Sequence, residues 1–186
     1  MDSQEKWNLK YKDRLTKKIQ PEPNTRLLMQ SGYLNGGEAL DIACGLGGNS
    51  YYLAEIGYEV TAIDISDVAV DYVQEQAAGK KLNITVKNAD LTKETPVLTG
   101  RKYELAVLTY YLDRSLFPLM KEVIKADGYL FMETFFQNGA SGNQNVSNRY
   151  KLESNELLKE FGDWRVLYFE ENEQEGRQTI FCQNQR

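Results

Sequence analysis

The sequence has no histidine, only two cysteines and only four prolines. Without histidine, the commonest general base and metal ligand is missing. That excludes Ser-His and Cys-His nucleophile pairs and any His-bound metal centre. Cys44 and Cys182 are far apart and form no Cys-x-x-Cys, so neither a disulfide framework nor a zinc site is indicated, and no metal is expected. No apolar run approaches the length of a membrane span. The amino terminus, Met1-Asp-Ser-Gln-Glu-Lys6, is charged and has no apolar signal core, which points to a cytoplasmic protein without a membrane partner. Positive charge is short too: 22 basic residues against 27 acidic ones, a net charge of −5. Seven of the basic and four of the acidic residues precede position 36, so a mildly basic arm leads into an acidic body. An acidic body supplies few phosphate contacts, which disfavours nucleic acid and favours a small-molecule partner. At 186 residues, 41% of them hydrophobic, the chain is long enough for one domain with a full core.

What is present centres on Glu38 to Ser66. Ala39-Leu40 and Ile42-Ala43 form a short apolar run interrupted by Asp41, as in a parallel strand covered on both faces. Gly45, Gly47 and Gly48 allow a sharp turn and bring bare backbone close to a ligand. Tyr52, Leu53 and Ile56 then follow a helical spacing, and Gly57 ends that helix. A second strand, Tyr58 to Ile63, delivers Asp64 at its carboxyl end. Ligands of open parallel sheets bind beyond the carboxyl ends of the strands. A carboxylate there, 19 residues after Gly45, suits the two hydroxyls of a ribose. The dinucleotide fingerprint Gly-x-Gly-x-x-Gly fails, because Ser50 stands at its third position.

The remaining chain alternates helix and strand. Trp7, Tyr11 and Leu15 make a narrow apolar stripe on a helix from Lys6 to Ile19. Gln20-Pro21-Glu22-Pro23 breaks it. Asn24 caps a second helix that Gly32 stops. Ser66 caps a helix running through Ala77, with Gly79 as its end. Leu82 to Lys87 is a third strand, followed by Asn88-Ala89-Asp90-Leu91. Asp90 is either an ordinary turn residue or a third acid at the sheet edge. Tyr103 to Thr109 is a fourth strand, with Tyr110, Tyr111 and Asp113 just beyond it. Asp113 to Lys125 reads as a helix with Pro118 in its first turn, and Asp127-Gly128 turns into a fifth strand, Tyr129 to Phe135. Gln137 to Asn148 is a polar loop, either a lid or a bystander. Arg149-Tyr150-Lys151 could meet an anion. Ser154 caps a short helix ended by Gly162, and Trp164 to Glu170 with Arg177 to Gln183 forms a closing hairpin.

An apolar strand with its acid, a Gly-x-Gly turn, and acids after the second and third strands together resemble class I S-adenosylmethionine-dependent methyltransferases, over nearly the whole chain. Ala43-Cys44-Gly45-x-Gly47-x-Asn49, with Tyr150-Lys-Leu and Glu156-Leu157, is similar to the small bacterial subgroup that includes tellurite-resistance methyltransferases. The resemblance implies a Rossmann-like, doubly wound α/β fold. It has a mostly parallel sheet of about seven strands, a carboxyl-terminal antiparallel hairpin, and helices on both faces. Residues 1–35 are then a helical cap on a methyltransferase domain of residues 36–186. It implies S-adenosylmethionine as cofactor and S-adenosylhomocysteine as product. The cofactor-binding positions are Asp41, Ala43, Gly45, Gly47, Asp64, Ile65, Asp90, Leu91 and Thr109. Of these, Asp41 serves the methionine amino group, Asp64 the ribose and Asp90 the adenine amino group. Tyr11, Tyr110 and Tyr111 are the substrate candidates. No catalytic base is singled out among Asp113, Tyr110, Tyr111 and Glu133, which favours a soft or already anionic acceptor. The competing functions are a nucleic-acid or protein methyltransferase, a non-catalytic cofactor-binding domain, and a nicotinamide-dependent oxidoreductase.

Overall fold

A computed structural model describes residues 2–93, 100–137 and 146–186. The polar loop read as either a lid or a bystander, Gln137 to Asn148, lies largely outside the described residues. The chain divides into two compact units, residues 1–99 and 100–186.

The first unit is built on three parallel strands, β1 (Gly37–Ile42), β2 (Tyr58–Asp64) and β3 (Ile84–Asn88), in the order β3-β2-β1. Ile42 pairs with Ile63, and Asp64 with Asn88, so the three carboxyl ends finish together. Ala39, Leu40, Ile42, Val60, Ala62 and Ile63 are all fully buried. Each large aliphatic among them contributes about 1.5–3 kcal/mol by leaving water. Helix α1 (Ser3–Thr16) starts earlier than its apolar stripe suggests. Asp2 and Glu5 close a capping box there, which satisfies the first free backbone donors. Helix α2 (Thr25–Leu28) is a single turn capped by Asn24, followed by a 3-10 turn at Ser31–Tyr33. Helix α3 (Gly48–Glu55) ends before Gly57, which takes a φ of +100°.

Helix α4 (Asp67–Lys80) is capped by the Ser66 hydroxyl, which accepts from the Ala69 amide. Its end differs from the sequence expectation. Gly79 stays helical, and Lys81 takes the left-handed position at φ +56°. Its amide donates to Ala77 and Ala78 carbonyls that would otherwise be bare.

The second unit has four strands in the order β4-β5-β7-β6. These are β4 (Tyr103–Thr109), β5 (Ile124–Phe135), β6 (Arg165–Asn172) and β7 (Arg177–Gln183). β4 and β5 are parallel, and β7 runs antiparallel to both β5 and β6. Helix α5 (Leu116–Val123) is shorter than expected. The Asp113 carboxylate accepts from the amide and hydroxyl of Ser115, which holds a turn ahead of it. Ile124 already pairs with Tyr103 and so begins β5. Asp127-Gly128 is therefore a kink within β5, pinned by backbone bonds to Asn184. Helix α6 (Glu156–Phe161) is not capped by Ser154. Asn155 holds the cap position at φ +59°, and the Ser154 hydroxyl donates to Glu171 instead.

Gly48 shows why a glycine cluster carries more than turn freedom. A Cβ there would lie 2.3 Å from the Glu22 carbonyl oxygen, which is backbone and has little room to yield. The contact seats the Pro21–Pro23 segment on the start of α3, where the Asn24 amide also donates to Asn49 Oδ1 at 2.8 Å. Gly48→Ala is expected to destabilise the protein by about 1–3 kcal/mol through overpacking. Denaturant melts should show a lower midpoint with an unchanged slope.

Candidate functional site

The carboxyl ends of β1 and β2 bring two acids together. Asp64 is 5% exposed, and both of its oxygens accept backbone amides. Oδ2 accepts from Gly45 at 2.8 Å, and Oδ1 from Ser66 at 2.9 Å. The carboxylate thus braces the glycine turn from below and the start of α4 from the side. Burial raises its pKa, and the amides of Ser66 and Gly45 pull the other way. Asp41 is fully buried. Its Oδ2 accepts from the Ser50 hydroxyl at 2.5 Å, and its Oδ1 has no partner among the described residues. Burial pushes its pKa up to about 7; the Ser50 hydroxyl lowers it and the Asp64 charge raises it further.

The turn between them is built from left-handed backbone. Gly45 and Gly47 have φ of +55° and +86°. Ala43, a residue with a Cβ, also sits at +54°. This conformation is costly outside glycine and concentrates at functional sites.

Helix α1 lies on this turn. The Tyr11 hydroxyl is 3.0 Å from where a Cβ of Gly45 would stand. Tyr11 is buried with Leu46 and Ala69, and its ring stacks on Trp7. Burial and the neighbouring charge of Asp64 hold its phenol protonated. Asn8 Oδ1 accepts from the Ser66 hydroxyl at 2.6 Å, and Gln4 Nε2 donates to both oxygens of Asp67 at 3.1 Å. Gln4, Asn8 and Tyr11 fall at i, i+4 and i+7, one face of the helix. The apolar stripe alone had drawn attention to Tyr11. The polar positions on the same face were the signal for the other two. Asn8→Ala removes one tether and is expected to weaken docking of α1 by about 1 kcal/mol. Faster amide hydrogen exchange in α1 would register it.

Beyond β2 and β3 lies a cleft of about 560 Å³, lined by Asp2, Gln4, Ile65, Asn88, Asp90 and Lys93. That size suits a nucleoside. Asn88 is anchored by its amide to the carbonyls of Asp64 and Ile65. Asp90 both turns the chain and faces the cleft. Its Oδ1 accepts from the amide and hydroxyl of Thr92, while Oδ2 pairs with Lys93 at 2.8 Å. Lys93 and Thr92 hold its carboxyl below the usual range. Leu91 is buried beside it.

The second unit carries a separate cluster at the carboxyl ends of β4 and β5. Thr109 ends β4 level with Glu133 and is half-buried, as is Tyr111. Tyr110 follows at φ +58° and is 43% exposed. Its hydroxyl donates to Glu133 Oε1 at 3.0 Å. Glu133, 1% exposed, also accepts from Thr179 at 2.7 Å and from Arg177 at 3.4 Å. The Arg177 guanidinium lies 4.4 Å from the Tyr110 ring centroid and 5.4 Å from that of Phe135. Its Nε is buried with no hydrogen-bond partner among the described residues. Phe135 follows Glu133 by two residues on β5, whereas Arg177 reaches Glu133 only across the sheet from β7, and nothing local in the sequence marks it. Asp113 is committed to its turn. Arg149 stacks on its own neighbour Tyr150, and Lys151 is buried.

Comparison with known proteins identifies the family of the chain. The family described as "Tellurite resistance protein TehB" matches residues 9–184. A "Probable S-adenosyl-L-methionine-dependent methyltransferase TehB" of Haemophilus influenzae is 28% identical over 143 residues, which is 73% of this chain and 48% of that protein. The chain spans about half the length of the curated relatives it matches. A 2-heptyl-1-hydroxyquinolin-4(1H)-one methyltransferase of Mycobacteroides abscessus is 32% identical over 77 residues, covering 41% of this chain and 34% of the other. The crystal structure of TehB from Haemophilus influenzae superposes with a TM-score of 0.78 at 22% identity, over 94% of this chain and 67% of that one. The fold is therefore the Rossmann-like one of class I methyltransferases, with its carboxyl-terminal antiparallel hairpin. With the family matching almost end to end, the chain belongs to the TehB family of S-adenosylmethionine-dependent methyltransferases.

Proposed function

We propose that this protein transfers the methyl group of S-adenosylmethionine to a small acceptor with a soft or anionic nucleophile. The residues present fit the cofactor. The backbone amides of Gly45, Ser66 and Ile65 turn to Asp64, and an ionised carboxylate offers about four acceptor sites, which leaves capacity toward the ribose. Asp41, with an orphaned oxygen, offers negative charge toward the amino group. Gly45 and Gly47 border the methionine end. Ile65, Asp90 and Leu91 line the adenine side. When bound, S-adenosylmethionine supplies an electrophilic methyl on a sulfonium. The chain's contribution is to position both reactants and exclude water.

The observation that carries the acceptor class is Arg177. Its guanidinium lies beside two aromatic rings and is paired with Glu133 through one nitrogen, while its Nε has no partner among the described residues, which leaves donor capacity for an anion. The family's name suggests tellurite as one such oxyanion. An acceptor that is already anionic needs no general base, consistent with a chain without histidine. The same site disfavours nicotinamide chemistry, since the third glycine of the dinucleotide motif is Ser50, bonded to Asp41. The test is calorimetric titration with S-adenosylhomocysteine, followed by methyl transfer to tellurite, a small thiol and a neutral amine. Transfer to the first two and not to the amine supports the reading. Cofactor binding with no transfer to any acceptor favours a non-catalytic binding domain.

A further inference from the structure

The pairing of Ser50 with Asp41 goes beyond cofactor recognition, though it rests on the cofactor reading above. We propose that its closed surroundings hold Asp41 as a neutral acid in the ligand-free protein, with Ser50 as the positioning residue that readies its carboxyl to ionise, and that the cationic amino-acid end of the cofactor releases that proton on binding. The geometry is unusual for a carboxylate. Asp41 lies within β1 and is fully buried, and its Oδ2 accepts from the Ser50 hydroxyl. Oδ1 is closed from solvent and has no donor among the described residues. A buried ionised oxygen with no donor is costly, whereas a proton on Oδ1 leaves Oδ2 as the acceptor that Ser50 already serves.

The groups that face Asp41 all point the same way. From β2 the Asp64 carboxylate disfavours a second negative charge. From the turn comes the Cys44 thiol, and from α1 the Tyr11 phenol; burial keeps both neutral. None of these supplies a cation. Against them, Ser50 at the start of α3 stabilises the ionised form, through its hydroxyl and its backbone amide. Burial leaves the balance near neutrality, at about 7. An opposite charge within about 4–6 Å favours the ionised acid and needs no direct contact. A ligand ammonium therefore drives the proton from Asp41 to bulk water, while Ser50 keeps its own.

The linkage has a definite sign. Below neutrality the ligand must expel a proton, so its affinity falls as pH falls. S-adenosylhomocysteine is the cleaner probe because its amino-acid group stays zwitterionic through this range. Its affinity for the wild type should be about tenfold lower at pH 6 than at pH 8. Titration in buffers of different ionisation enthalpy should show close to one proton released at pH 6 and little at pH 8. 5′-Methylthioadenosine has the same nucleoside and sulfide but no amino-acid end. It should bind without proton release. Asp41→Asn should bind S-adenosylhomocysteine with no pH dependence over the same range. Ser50→Ala should move the midpoint up by about one pH unit, because the lost bond favoured the charged form, and Ser50→Thr should restore it. A purely structural role for Ser50 would lower stability and leave the midpoint in place. Binding of S-adenosylhomocysteine with no proton release, or equal release with 5′-methylthioadenosine, overturns the inference and leaves the cofactor reading intact. Absence of binding at every pH removes the cofactor reading and the inference with it.

Discussion

Asp64→Ala is expected to weaken binding of S-adenosylhomocysteine by more than a hundredfold. On the cofactor reading proposed above, this carboxylate accepts from the ribose hydroxyls. Hydrogen bonds to a charged group contribute about 1.5–3 kcal/mol each. Losing two removes about 3 kcal/mol or more, and every 1.4 kcal/mol is about tenfold in affinity. The substitution has a second effect. The amides of Gly45 and Ser66, which now donate to Asp64, lose their acceptor inside the protein. The glycine turn and the start of α4 loosen together, so the melting midpoint falls as well. Asp64→Asn separates the two effects. It keeps the shape and one acceptor oxygen, but turns an NH₂ toward either a backbone amide or a ribose hydroxyl. Isothermal titration at fixed pH, paired with thermal melts, distinguishes them. A variant that binds within threefold of wild type would remove Asp64 from the ribose site.

Much of this site could be read before the fold was known, because its chemistry is local. Asp64 ends an apolar strand, Ser66 caps the next helix two residues later, and both signals lie within one short stretch. The glycine turn was equally plain, yet one of its glycines was assigned the wrong task. Gly48 has no left-handed backbone; it is small because the Glu22 backbone passes against it, a contact that no local pattern encodes. Helix ends were less legible for a related reason. Gly79 looked like a terminator, but Lys81 took the left-handed turn, and Asn155 displaced Ser154 at the start of α6 once Glu171 had engaged the serine. Ala43 and Tyr110 adopt positive φ without the residue type that would announce it. Both stand at the carboxyl end of a strand, where the backbone has to leave the sheet abruptly. Ser50 was visible only as a missing glycine. Its bond to Asp41 gives that departure a physical content.

Arg177 was the residue least accessible to sequence reasoning, and its substitution should have the second large effect. Arg177→Ala is expected to lower kcat/KM for tellurite or a small thiolate by about ten- to a hundredfold, since a charged hydrogen bond to an anion is worth about 1.5–3 kcal/mol. It also strips the buried Glu133 of its cation. Breaking a buried pair from one side costs about 3–5 kcal/mol, so lost activity alone would be ambiguous. Arg177→Lys keeps the charge but loses the planar guanidinium face beside Tyr110 and Phe135, and with it the Nε donor. It should retain most of the stability and little of the activity. The decisive variant combines Arg177→Met with Glu133→Gln. Removing both charges of a buried pair restores much of the stability lost on removing one. If Arg177 recognises the acceptor, the double variant melts near wild type and still fails to turn over. If the arginine serves only to neutralise Glu133, the double variant recovers both stability and kcat/KM, and the site has no anion-recognition role. Double-mutant analysis of the two melts gives the coupling between Arg177 and Glu133 directly. What the arginine contributes beyond that coupling is its contribution to the acceptor.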